Sequence, residues 1–375
     1  MKNKFNGKSR SRGIFFLIAF IACVLAGGVC KITASVILPF TISVFLAFVM
    51  NPMVTMLEKL HIKRIFSIIL AVCIIIAGLY LIGAVLFASG RTILSLYPKY
   101  EKRLTEIYVW FSGFFELSYD EHLTFFENLW AQLGVRNRIM YLTFSFSNAF
   151  IGFLKGAVMM VLFVIFLLIE GANVTEKIEI VFKRKWSGPI KKISADVVQQ
   201  VTRYLSAKFF ISLATGIVVT IALHLVRLEF AVVWGLIQFI LNFIPNIGSA
   251  AVGAGAVLFA VLQFWPDPGP IIAVGIIMLG ANMIIGNILE PKIMGDNLGL
   301  SPLAILIALM FWGWIWGFAG MVLAVPMTVI IKILCENIPF LEPLSILLGS
   351  HKAAMAKKRG AEEQETERQQ APASR

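Results

Sequence analysis

The 375-residue chain reads as an all-α polytopic membrane protein. It is expected to have about six full crossings plus two broken, re-entrant helical hairpins (or about eight membrane helices), with amphipathic helices at the interface. Three observations predict this class. Hydrophobic residues make up 59% of the sequence and the mean hydropathy is +0.85, above the range of soluble domains. Charge-free runs recur at 13–30, 32–57, 65–90, 209–226, 230–266, 268–289 and 297–331, and a hydrocarbon core of ~30 Å needs roughly 20 helical residues. The period-2 alternation of a membrane barrel is absent, and in lipid a helix bonds all its backbone groups within its own segment.

Taken in order, the first helix is expected at about 13–30. It follows a basic start, Met1–Arg12, with five Lys/Arg, which resembles a signal peptide. A second apolar segment begins almost at once, so an uncleaved helix is the better reading. A second helix covers about 33–50, with Pro39 inside as a kink, and ends at Asn51-Pro52. A third runs 65–89. Residues 90–147 then balance six acids against six bases and repeat aromatics near helical spacing (Tyr97, Tyr100, Leu104, Ile107, Tyr108, Phe111). Amphipathic helices at the outer surface or a solvated face both fit. A fourth helix covers about 149–169, with Lys155 placed to snorkel.

Residues 170–208 carry eight Lys/Arg against four acids, so the positive-inside rule puts them in the cytoplasm. Trp186-Ser187-Gly188-Pro189 is expected to split them into two pieces. A fifth helix covers about 208–226. The sequence thus divides into 1–89, three membrane helices; 90–148, an extracytoplasmic amphipathic segment; 149–229, helices 4 and 5 with the basic segment; 230–338, a core with two broken hairpins flanking one crossing; and 339–375, a polar cytoplasmic tail.

The broken units are the most informative feature. The 37 residues of 230–266 would make one straight helix of ~55 Å, too long for a bilayer. The segment is two crossings or a hairpin that dips in and returns. Its break is Pro245-Asn246-Ile247-Gly248. The unit 303–331 repeats the plan, with Gly313, Gly317 and Gly320 near its centre and Pro326 beyond. Paired interrupted segments point to a binding site near the midplane; close helix packing through small residues is the alternative. Gln238, Asn242 and Asn246 are spaced four apart and would present amides on one helical face. Ser249 follows the break, and Asn282 lies in the single crossing expected at 271–287. Amides suit uncharged polar groups. Between the crossings, Asn287, Glu290, Pro291, Lys292, Gly295 and Asp296 form either a gate or coupling site or a solvated turn.

No enzyme constellation is present. The four histidines form no ligand pattern, the four cysteines sit at no metal spacing, and no phosphate-cradling motif occurs. No catalytic residue, metal or cofactor is expected. The net charge of +12 gathers at the ends of apolar segments, where it meets lipid headgroups rather than nucleic acid.

Four stretches resemble the AI-2E (autoinducer-2 exporter-like) transporters: ILPFTISVFLAFVMNPMVTMLEK (37–59), with Pro39, Asn51, Pro52 and Glu58 in place; FILNFIPNIGSAAVG (239–253); NILEPKIMGDNLGLSPLAILIAL (287–309); and GFAGMVLAVP (317–326). The resemblance implies a secondary transporter of the bacterial cytoplasmic (inner) membrane, and the basic segments place both termini in the cytoplasm. It would export a small polar solute such as the quorum-sensing signal autoinducer-2. The resemblance also implies a homo-oligomer such as a pentamer, with a proton or sodium ion as coupling ion. The chain departs from the usual pattern at Asn246, Ser249, Ser206-Ala207-Lys208 and Ile285. The last replaces a frequent acidic residue and weakens cation coupling there. A sodium(lithium)/proton antiporter and a non-transporting envelope or scaffold protein are the alternatives.

Overall fold

The computed structural model describes residues 24–115, 155–171, 184–294, 300–338 and 341–349, with single positions at 21, 152, 177, 180, 181 and 355. Helix dominates throughout. After a helical stretch at 24–32, α1 covers Ala34–Lys59 and α2 Arg64–Phe115. Helix α3 spans 155–170, and α4 Arg184–Leu225. Then come α5 (Ala231–Leu241), α6 (Ile247–Phe264) and α7 (Pro268–Ala281). A π-helix at Asn282–Leu289 leads into α8, Glu290–Met294. Helix α9 covers Pro302–Asn337 and α10 Glu342–Leu348.

Among the described residues six helices are long and apolar enough to cross a membrane: Ala34–Lys59, Arg64–Thr92, Ile190–Leu225, Ile247–Phe264, Pro268–Ile293 and Pro302–Asn337. Two of these, α6 and α9, belong to the broken segments. The architecture is the expected polytopic helical one.

Several helix ends differ from the sequence expectation. Helix α1 runs through Asn51-Pro52 to Lys59. A proline removes one backbone donor, and a packed apolar face outweighs that loss. Helix α2 likewise passes the end of its apolar run and continues through Pro98 to Phe115. Polarity changes along it, but helical periodicity does not. Helix α4 passes through Gly188-Pro189, where a division was expected. The continued crossing extends to Ile293 rather than 287.

The chain falls into two compact units, Phe45–Leu298 and Met1–Val44 with Gly299–Arg375. In the first, Ala47, Met50, Val54, Ile68, Ala71, Ile75, Val164 and Leu168 form one core between α1, α2 and α3. Arg64 joins these elements. It donates to the Glu58 carboxylate at 3.0 Å and to the Leu168 carbonyl at 2.7 Å. Glu58 therefore fixes the α1–α2 turn, where His61 takes a positive φ of 63°. A second core unites α4 to α7 around Val219, Leu223, Val252, Ala256, Ala260, Val274 and Met278.

The segment 230–266 is a hairpin. At its base the Gln263 side chain accepts from the Glu229 amide at 2.7 Å and donates to the Arg227 carbonyl at 2.9 Å. Phe230 and Trp234 of one arm stack with Phe259 of the other at 5.7 and 5.9 Å. Both ends thus lie at one side. Helix α5 rises only about 16 Å, roughly half a hydrocarbon core, whereas α6 is among the helices long enough to cross one.

The second unit carries the same device in α9. Trp316 (φ −121°, ψ 17°) and Gly317 (φ 59°, ψ −137°) leave helical geometry and divide it into two arms. The chain doubles back tightly enough that a Cβ at Gly320 would overlap the Trp312 carbonyl oxygen. Gly313 packs against Met321, and Pro326 is buried in the second arm. In this unit Trp316 donates from Nε1 to the Cys30 carbonyl at 3.1 Å, and the Lys31 ammonium lies 4.3 Å from the Trp314 ring centroid.

Gly248 closes the first tip as Gly320 closes the second, since a Cβ there would overlap the Leu241 carbonyl oxygen. Gly248→Ala is expected to lower stability by about 1–3 kcal/mol through overpacking. Gly280→Ala, whose Cβ would meet nothing within 4 Å, leaves it within about 0.5 kcal/mol. Thermal unfolding of both variants in detergent checks the contrast.

Candidate functional site

The tip of the first hairpin solves a backbone problem. Helix α5 ends at Leu241, and Asn242, Phe243 and Ile244 donate to the carbonyls of Gln238, Ile240 and Leu241 at 2.9, 3.3 and 2.9 Å. Pro245 has no donor. Asn246 then takes φ 61° and ψ −47°, and Ile247 donates back to Pro245 at 2.6 Å. This is a γ-turn of the rare positive-φ kind. Asparagine tolerates a positive φ better than most residues do. Gly248 donates to Ile244 at 3.2 Å and starts α6.

The expected row of three amides is thereby reduced to two. Gln238 and Asn242 are buried, at 2% and 8% exposure. Asn246 is exposed because the helix has ended before it. Asn242 donates to the Ser212 hydroxyl of α4 at 3.0 Å. The Gln238 Oε1 atom is buried and finds no partner among the described residues. Buried Thr215 uses its proton on the Ile211 carbonyl. Ser249, also buried, donates to Asn282 Oδ1 at 2.9 Å. The structure thus makes two polar pairs around the tip, Asn242 with Ser212 and Ser249 with Asn282, and buries Gln238 one turn before Asn242; sequence reading passed over Ser212 and the buried Thr215.

Helices α4 and α5 come close enough to form this polar seam because they cross at Gly216 and Gly235. A Cβ on either would meet the other's carbonyl oxygen. Past this crossing lies a cleft of about 550 Å³ lined by α1 to α5, including Met50, Leu79, Met160, Phe209 and Phe239. Its hydroxyl, that of Thr220, already donates to the Gly216 carbonyl. A polar solute finds no free side-chain group there, so the seam and not this cleft is the candidate site.

Asn282 opens the π-helix, and Asn287 is exposed on it. Ile285, which departs from a frequent acidic residue of the resembled pattern, is buried and apolar. At the far end Glu290 accepts a hydrogen bond at 2.5 Å from Lys208 of α4, whose side chain is 2% exposed. Pro291 and Lys292 are exposed, while Gly295 and Asp296 lie outside the described residues. In the sequence Lys208 stands out only as one of the basic residues of 170–208 and as part of the Ser206-Ala207-Lys208 departure; it lies four residues before Ser212 and seven before Thr215, on one helical face.

The chain matches the model of the AI-2E family transporters over residues 14–340. It belongs to the AI-2E transporter family. The AI-2E relatives include YhhT of Escherichia coli K12, 31% identical over 90% of this chain and 94% of that protein. The AI-2 transport protein TqsA of the same organism is 29% identical over 90% of this chain and 95% of its own length. A sodium-lithium/proton antiporter of Halobacillus andaensis is 31% identical over 44% of this chain and 45% of its own. The chain is therefore a multi-pass membrane transporter and not an enzyme.

At the hairpin base, outside the membrane spans, Glu229 accepts from Lys99 at 2.5 Å and from the Tyr100 hydroxyl. Burial favours its neutral form, but the bonds from Lys99 and Tyr100 outweigh this and hold the carboxyl below its ordinary value of 4.5. Burial first, then the bond to Glu229, raises the Tyr100 phenol. A depressed carboxyl contributes stability above its unfolded value and loses it as pH falls through the folded one. A raised phenol contributes below ~10 and loses it above. Thermal stability is expected to be flat near neutrality and to fall on both sides. Glu229→Gln should show a shallower acid-side fall than the parent in a pH series of melting curves.

Proposed function

We propose that the chain is a secondary transporter of the bacterial cytoplasmic membrane that exports a small uncharged polar solute of the class of autoinducer-2. The buried seam of Gln238, Asn242, Ser249 and Asn282 at the first hairpin tip is its cargo site. The observation that carries this reading is the unpartnered Gln238 Oε1, buried one turn before Asn242 in the arm that leads to the strained γ-turn. A buried acceptor left unmet costs about 1–3 kcal/mol, and strained backbone persists where surrounding structure over-determines it, often at ligand sites. The name of TqsA supports the choice of solute class.

In this reading Asn246 and Pro245 shape the tip, and Asn287, Glu290, Pro291, Lys292, Gly295 and Asp296 form the gating segment. The glycine-rich tip at Gly313, Gly317 and Gly320 is the second moving hairpin. Residues 1–89 and 149–229 serve as scaffold, in a homo-oligomer embedded in lipid with both termini in the cytoplasm. The antiporter reading needs an exchangeable carboxylate at depth. Glu290 is already paired with Lys208, which favours the solute reading.

Reconstituted in proteoliposomes with a panel of labelled polar solutes, Gln238→Leu and Asn242→Leu are expected to cut solute flux at least about tenfold. A lost hydrogen bond in an exacting polar site costs that much or more. Substituting exposed Leu258 by Ala should leave flux unchanged. Unaltered flux in both seam variants, with correct folding, would overturn the seam as the cargo site.

A further inference from the structure

The π-helix is held by a polar contact at each end. At its start Asn282 accepts from Ser249 of the hairpin tip, and just past its end Glu290 accepts from Lys208 of α4. The second contact is unusual in its burial, with the lysine 2% and the glutamate 23% exposed. Tyr204, one turn before Lys208 and itself buried, lies within electrostatic reach of Glu290. Lys292 on α8 faces solvent. Lys208 is thus the cation that meets the Glu290 carboxylate among the described residues.

A carboxylate taken this far from water needs a counter-charge, because the penalty for an uncompensated ion is several kcal/mol. A lysine ammonium is a compact point charge, closer to a bare monovalent ion than the planar guanidinium of arginine. It reaches the carboxylate on a flexible four-carbon stem anchored in a different helix. The arrangement sets a largely buried carboxylate against one compact positive charge at contact distance.

We propose that Glu290 is a monovalent-cation site filled by the chain's own Lys208. The tethered ammonium does the work that a bound sodium or lithium ion would do, and the conformational cycle runs without a sodium requirement. The π-helix connects this site to the Ser249–Asn282 contact. A π-helical segment carries an extra residue per turn and is found mostly at functional sites. Release of Glu290 from Lys208 lets it shift register and carry Asn282 away from Ser249. The consequence for the cycle rests on the transport reading. Occupation of the site does not, so binding alone tests it.

The full-length protein, its Lys208→Gln variant and the Lys208→Gln/Glu290→Gln double variant are compared in detergent by melting temperature and by binding of radioactive sodium. Sodium, lithium or choline chloride is held at equal ionic strength. Lys208→Gln should bind sodium saturably and gain roughly 3–5 °C in sodium or lithium over choline. The parent and the double variant should do neither. A folded Lys208→Gln with no preference for sodium or lithium over choline overturns the proposal and makes the pair structural. A parent that responds to sodium as strongly as the variant also overturns it. If Lys208→Gln is not recovered, Lys208→Ala is purified with methylammonium as a soluble replacement for the missing group. Stabilisation by methylammonium or sodium but not choline supports the site, and stabilisation by neither overturns it. Sodium binding by Lys208→Gln together with absent solute flux in the parent would sink the transport reading while leaving the cation site standing.

Discussion

A chain that reverses inside a bilayer has to satisfy its own backbone at the turn, because hydrocarbon offers no hydrogen-bond partner. The first hairpin meets this demand within eight residues, Leu241 to Gly248. Its donors at Asn242, Phe243, Ile244, Ile247 and Gly248 find carbonyls at the end of α5 or within the turn, and a proline stands where a further donor would be hard to place. The solution requires a positive φ at Asn246 and a missing side chain at Gly248. Everything around the seam depends on this closure. It ends α5 at Leu241, sets where α6 begins, and so decides that Ser249 faces Asn282 while Gln238 and Asn242 face α4.

The seam is costly in the terms that make it useful. Hydrogen bonds between membrane helices contribute ~0.6–2 kcal/mol each, so the Asn242–Ser212 and Ser249–Asn282 bonds hold the tip only lightly. Lightly held contacts can be exchanged for contacts to a solute without a large barrier. The two apolar cores on either side of the seam are different in kind. They bury aliphatic side chains around small residues such as Ala71, Ala256 and Ala260, and they provide the rigidity against which a tip could move. Arg64, bonded to both Glu58 and the Leu168 carbonyl, plays the same anchoring part at the α1–α2 turn.

The break at Pro245–Gly248 was legible in the sequence, because no single helix can occupy 37 charge-free residues in a bilayer; the close packing of its two arms was not, since a hairpin and two crossings fit the same length. The matching interruption at Gly317 was legible for the same reason. Helix ends were not. Asn51-Pro52, Gly188-Pro189 and Ser89 all lie within continuous helix, since local propensity is a weak prior against a packed face. The fate of Asn246 was hidden because a spacing of four describes a face only while the helix lasts. Lys208 was hidden by its company. It closes a run of basic residues that set topology, and nothing in composition separates a buried lysine from its exposed neighbours. Its partner lies 82 positions away, and only tertiary structure joins them. The π-helix has no composition of its own, and the residues 282–289 read equally well as α.

The π-helix gives the seam a direction. One end touches the hairpin tip and the other touches α4, so a change of one residue in its register moves both contacts together. In α-helical form the segment would turn 100° for each residue, enough to take Asn282 out of line with Ser249 or Glu290 out of line with Lys208. The present register satisfies both at once. Any alternative register has to give up at least one of them, and the buried ion pair is the dearer to break. The Lys208–Glu290 pair is therefore the contact that holds the present register, and the Ser249–Asn282 bond yields only once that pair is released.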